Sequence, residues 1–146
     1  MTASNTFEND LLNLILKNVA IALIGDASGL QPSATAGSLY VSLHTADPGE
    51  AGDQTTNEAA YTSYARVAVA RSAGGWTVTG SAAENAAAIT FPQCTGGSAN
   101  VTHFGIGTAA IGAGKLLLSG ALSATLAVSN GIRPEFAAGD LDITAD

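Results

Sequence analysis

The feature that most limits the fold is the repeated interruption of short, alternating apolar segments by glycine. In residues 39–44, Leu39, Val41 and Leu43 alternate with Tyr40, Ser42 and His44, the period-two pattern of a strand. Residues 64–71 repeat it, with Ala65, Val67 and Val69 opposing Arg66, Ala68 and Ala70. Further short segments are predicted at 76–79, 86–91, 100–108, 115–118, 122–128 and 141–144. Gly74-Gly75, Gly96-Gly97, Gly112 to Gly114, and Gly131 with Pro134 mark turns between them. Val101 and Phe104 break strict alternation, which predicts a β-bulge near His103. Strands this short, spaced this regularly, predict a mainly-β chain: an antiparallel β-sandwich or barrel-like domain.

The first segment follows a different period. Phe7, Leu11, Leu14, Ile15 and Ala22 form a narrow apolar stripe at helical spacing, with Asn5 and Glu8 in capping-box register. An N-terminal α-helix is therefore expected, ending at Gly25-Asp26. The chain divides into a helix or docking arm at 1–26 and a β-sandwich at 38–146, together one structural domain. Residues 45–60 form a long polar loop containing Asp47-Pro48-Gly49.

Charge narrows the function. Only 12% of residues are charged, about half the usual quarter. A surface with few ions loses little on desolvation, which favours assembly with copies of itself. Lys17, Arg66, Arg71, Lys115 and Arg133 are scattered against a net charge of −7. No basic stripe exists for nucleic acid, and an anionic membrane is disfavoured. The start lacks the pattern of a signal peptide, no apolar run reaches membrane-spanning length, and Cys94 has no disulfide partner.

The candidate sites each carry a plainer alternative. His44, His103 and Asp47 could in principle ligate a metal, but His44 at a strand exit is better explained by hydrogen bonds to its loop. Asp47, Glu50 and Asp53 gather acid in one loop without the register of a calcium hand; a solvated loop usable for contacts is expected. Cys94 lacks an electropositive neighbour and reads as a small buried residue. Arg66 and Arg71 either pair with acidic loops of neighbouring copies or blunt a sheet edge. Trp76 is a core or edge anchor, with an interface hot spot as the rival reading. No catalytic residues, metal site or cofactor are expected, and the chain is not expected to be an enzyme. Candidate interface residues are Phe7, Leu11, Leu14, Asp47, Glu50, Asp53, Arg66, Arg71 and Trp76.

Four segments carry a family likeness. They are Ser4-Asn5-Thr6-Phe7-Glu8-Asn9-Asp10-Leu11-Leu12; Leu39-Tyr40-Val41-Ser42-Leu43-His44-Thr45-Ala46-Asp47-Pro48-Gly49-Glu50; Tyr61-Thr62-Ser63-Tyr64-Ala65-Arg66-Val67-Ala68-Val69; and Val101-Thr102-His103-Phe104-Gly105-Ile106-Gly107. Together they resemble small structural proteins of tailed bacteriophages and prophages labelled phage tail fibre-like. The resemblance implies a virion structural protein made in the host bacterial cytoplasm. Small size and the absence of a shaft repeat favour a multimeric capsid decoration (cement) protein, bound to itself and to the major capsid or a tail protein. The alternative is a tail fibre or tail-tip module that contacts a host receptor through the 45–60 loop.

Overall fold

The computed structural model describes residues 3–145; the ends of the expected 1–26 and 38–146 segments, residues 1–2 and 146, lie outside that range. The described chain is mainly β, with one N-terminal helix and nine strands. Contacts divide it into two compact units, each drawn from separate stretches of sequence.

The first unit comprises Met1–Ser38, Ala70–Ala88 and Phe136–Asp146. Its helix, α1, spans Asn5–Lys17. The cap is Ser4, one residue before the expected Asn5: its Oγ accepts the Phe7 N–H at 3.3 Å. The helix stops at Asn18, which adopts the left-handed conformation (φ 58°) that ends helices and that asparagine tolerates. Asn18 also exchanges two side-chain hydrogen bonds with the backbone of Ser33, 2.8 and 2.9 Å long. The helix is thus far shorter than the apolar stripe suggested, and Ile21 instead forms an isolated bridge with Leu30. The buried side is Glu8, Leu12 and Leu16, four residues apart. Phe7 and Leu11, expected on the apolar stripe, are exposed.

Strands β3 (Trp76–Thr79) and β4 (Ala82–Asn85) form an antiparallel hairpin, and β4 pairs in turn with β9 (Ile143–Thr144). Strand β4 was not expected, because Ala82, Ala83, Glu84 and Asn85 are poor strand formers. The hairpin with β3 and the Asn85 hydrogen bonds impose it. The Asn85 amide donates to Ala87 O and Ala137 O, and its Oδ1 accepts the Leu141 N–H. Leu12, Leu16, Ile21, Trp76, Ala83, Leu141 and Ile143 are buried in this unit.

The second unit comprises Leu39–Val69 and Ile89–Glu135. A four-stranded sheet runs in the order β2-β1-β6-β7, with β1 at Ser38–His44, β2 at Val67–Ala70, β6 at Ser98–Gly107 and β7 at Leu116–Ser129. The β1–β6 and β6–β7 pairs are antiparallel. Two short strands, β5 (Ile89–Thr90) and β8 (Glu135–Phe136), form a separate pair. No sheet among the described residues closes into a barrel.

The bulge expected near His103 is present, but its geometry is larger than a single insertion. Val101 pairs with Leu126 and His103 with Ala121, so Thr102 stands opposite the four residues 122–125. The two segments expected at 115–118 and 122–128 are accordingly one long strand that bends around the bulge. A period-two reading breaks where a bulge flips the side-chain phase, and so it split a continuous strand in two.

Candidate functional site

The 45–60 loop begins at His44 and is held by its own backbone and side chains. The Asp47 carboxylate accepts the Gly49 N–H at 2.9 Å, a turn contact of the kind Asp-Pro-Gly favours. The Asp53 Oδ1 accepts from the Thr55 hydroxyl and backbone N–H at 2.6 and 2.8 Å, and these bonds hold its carboxyl below the usual range. Asp47 and Glu50 remain exposed on the loop surface.

Beneath the loop lie two buried polar residues, His44 and Gln54, both wholly inaccessible. His44 Nδ1 donates to the Thr56 carbonyl at 2.8 Å, since a carbonyl can only accept. Its Nε2 lies 2.8 Å from Ser42 Oγ. In the neutral ring Nε2 is an acceptor, so the hydroxyl donates to it. Burial lowers the His44 pKa, with the Thr56 bond acting in opposition. The side chains fit only because β6 presents glycine there. A Cβ at Gly105 would come within 2.6 Å of His44 Nε2, and one at Gly107 within 2.2 Å of Gln54 Cδ. Gln54 Oε1 accepts the Ala109 N–H, which ties the loop to the β6–β7 connection.

Stability should therefore depend on pH through His44. The folded pKa of His44 lies below its unfolded value of 6.5, so the unfolded chain takes up the proton first. The stabilisation is fully present above about pH 6.5 and declines as pH falls towards the lower folded pKa, with a slope of up to about 1.4 kcal/mol per pH unit. Urea unfolding between about pH 7.5 and 5.5 should show that slope in the native chain, and His44→Gln should flatten it.

A third cluster joins Glu58, Tyr64 and Arg66. Arg66 Nε and Nη2 meet the two Glu58 oxygens at 2.7 and 2.8 Å, a bidentate pair. Its Nη1 donates to Ala109 O at 2.8 Å. Tyr64 donates to Glu58 Oε1 and accepts the Leu43 N–H. Burial drives the Tyr64 pKa far up, and the Glu58 bond raises that of Arg66. Arg66 and Tyr64 were visible in the sequence within the expected 64–71 strand, although β2 begins only at Val67 and leaves both before it; Glu58 was not, since nothing in a polar loop distinguishes an acid that folds inward.

An open groove of about 560 Å³ runs between the loop and the sheet. Asp47, Gly49, Glu50 and Gly52 form its wall, and His103 with residues 116–121 of β7 its floor. Asp47 and Glu50 are thus brought to one surface. Among the described residues no three His, Cys, Asp or Glu side chains gather as metal ligands. His44 and His103 are cross-strand partners, but both His44 nitrogens already have partners. Cys94 is buried, its thiol near Gly96 O.

The other candidate interface residues belong to the first unit. Phe7 is 43% and Leu11 37% exposed, while Leu14 is half-buried. Trp76 is 0% exposed and therefore sits in the core. Arg71 is spent within its own unit: Nε donates to Ile15 O at 2.7 Å, Nη2 to Leu14 O at 2.6 Å, and Nη1 to Ala36 O at 3.1 Å. A cation at the carbonyl end of a helix satisfies acceptors the helix leaves open and suits its dipole. Arg71→Ala should lower stability by about 2–3 kcal/mol, and Arg71→Lys should recover less than half, because an ammonium lacks the fork. Chemical denaturation of the three proteins checks this.

No helix among the described residues is long and apolar enough to cross a membrane. Comparison with curated proteins finds no match. The family described as Podophage GP4 fiber I protein gp80 matches residues 2–144. A match of that extent covers the helix, the 45–60 loop and every strand, and the chain belongs to the Podophage GP4 fiber I protein gp80 family.

Proposed function

We propose that the chain is a structural component of a tailed-phage fibre. The observation that carries this reading is the family match across residues 2–144, whose description names a fiber protein. It favours the tail-fibre alternative over capsid decoration, which rested on small size and a missing shaft repeat. Low surface charge supports a life in permanent contact with other virion subunits. The exposed Phe7 and Leu11 give α1 an apolar face for docking to a virion neighbour. The 45–60 loop is the surface offered to a host receptor. It is pre-organised by the Asp47, Asp53 and His44 hydrogen bonds, so little ordering is needed on binding.

Gold-conjugated antibody against the chain should label tails in electron micrographs of intact particles. Labelling spread over the head lattice would overturn the fibre assignment. Receptor contact needs a separate test that leaves the buried Gln54 and His44 intact. Asp47→Ser with Glu50→Ser should slow adsorption to host cells at unchanged particle yield; unchanged adsorption would remove the loop from the contact.

A further inference from the structure

Helix α1 has a second apolar side besides the one it buries. At the helical period, Phe7, Leu11 and Leu14 fall within about 60° of one another round the axis. The buried Glu8, Leu12 and Leu16 lie about 130° away from them. Phe7 and Leu11 are exposed and Leu14 is half-buried. Val19, just past the Asn18 cap, is exposed too. Six of the nine exposed large apolar side chains among the described residues fall between Phe7 and Leu30. Apolar residues gathered in this way mark a contact surface, whereas singly scattered ones do not.

Two charges border the stripe. Asp10 and Lys17 are seven residues apart, close to two turns, and share the flank remote from the buried side. Both are partly exposed, and neither is in an ion pair among the described residues. The other charged residue of α1, Glu8, is buried. The whole chain carries a net charge of −7, which sets copies against one another. On this face one acid and one base balance, so two copies can meet here without that repulsion.

We propose that α1 packs against α1 of a second copy, antiparallel about a two-fold axis. The register that buries all three stripe residues sets Leu11 of one copy opposite Leu14 of the other. This symmetry brings the same flank of both helices together. The partner's Lys17 then stands two residues, about 3 Å along the axis, from Asp10. Packed helices lie roughly 8–10 Å apart, a gap that a lysine and an aspartate side chain span. The contact is made twice, once for each copy. Val19 falls beside the first turn of the partner's helix and extends the apolar contact. A parallel pair would set Asp10 and Lys17 against the flank that holds Ile15, and leave both charges unmatched. This pairing rests on the docking role proposed for α1 and names its occupant.

Sedimentation equilibrium of the full chain tests it. A dimer, or an assembly with an even number of copies, is expected. Lys17→Glu should weaken association roughly tenfold, because two attractive pairs become repulsive. Asp10→Lys should do the same. The two changes together should restore most of the loss, since the charges are then exchanged and not removed. Leu11→Lys should leave a monomer, because it places a charge in the apolar centre of the contact. Lysine is a good helix former, and circular dichroism matching the native chain confirms that each variant folds. Lys17→Glu, at a partly exposed site, keeps the test open should Leu11→Lys not fold. Labelling of tails on intact particles tests the fibre reading separately, so the two failures are told apart. A wild-type monomer at about 100 μM would overturn the pairing and leave the face to a different virion subunit. An odd-numbered assembly, or a double variant that associates no more tightly than the single ones, would overturn it as well.

Discussion

Glu58→Ala is expected to cost about 3–5 kcal/mol, the effect of stranding a buried charge. The Arg66 side chain is 3% exposed, so water cannot replace the carboxylate it loses. Tyr64 loses its acceptor in the same step. Glu58→Gln keeps the shape and one acceptor oxygen, and should cost roughly half as much. The informative comparison is the double variant Glu58→Leu with Arg66→Met. Replacing both charges by apolar groups of similar volume removes the desolvation penalty along with the attraction. It should therefore be more stable than Glu58→Ala alone, even though more of the native cluster is gone. Guanidinium denaturation followed by far-ultraviolet circular dichroism gives the four stabilities. A Glu58→Ala loss under about 1 kcal/mol would show that the pair behaves as a surface ion pair.

Trp76→Ala should cost a similar amount, about 3–5 kcal/mol, by opening a cavity in the first unit. The indole is wholly inaccessible, and Trp76 pairs with Asn85 at the start of the β3–β4 hairpin. Its Nε1 has no hydrogen-bond partner among the described residues, so Trp76→Phe forfeits volume but no hydrogen bond and should cost about 1–2 kcal/mol. Trp76 is also the single tryptophan of the chain, and its native fluorescence should be blue-shifted and poorly quenched by iodide. The hot-spot alternative predicts the reverse: an unchanged unfolding midpoint for the isolated chain, with the loss appearing only in assembly.

The candidate surface was partly legible in sequence. Asp47 and Glu50 were visible because turn chemistry at Asp47-Pro48-Gly49 is local, and the loop that carries them is polar throughout. Phe7 and Leu11 were visible as apolar residues at helical spacing, but the spacing alone could not say which side faced inward. The stripe through Leu12 and Leu16 competes with the one through Phe7 and Leu11, and packing chose the former. Arg71 looked like a free surface cation because its carbonyl partners come from Leu14, Ile15 and Ala36, more than thirty residues earlier in the chain.

By itself the sequence determined the features that depend on neighbours along the chain. These are the helix start, the β1 alternation, the short strand after Gly74-Gly75, the bulge signal near His103, the Asp47 turn, and the low charge that suits an assembled protein. Only the tertiary structure decided the features set by partners distant in sequence: the β4 strand imposed by its pairing, the continuity of β7 across a bulge, the inward Glu58, and the core position of Trp76. The division has one physical cause. Local propensity and turn geometry are encoded within a few residues, whereas burial and charge pairing are energies of contacts that exist only once the chain has folded.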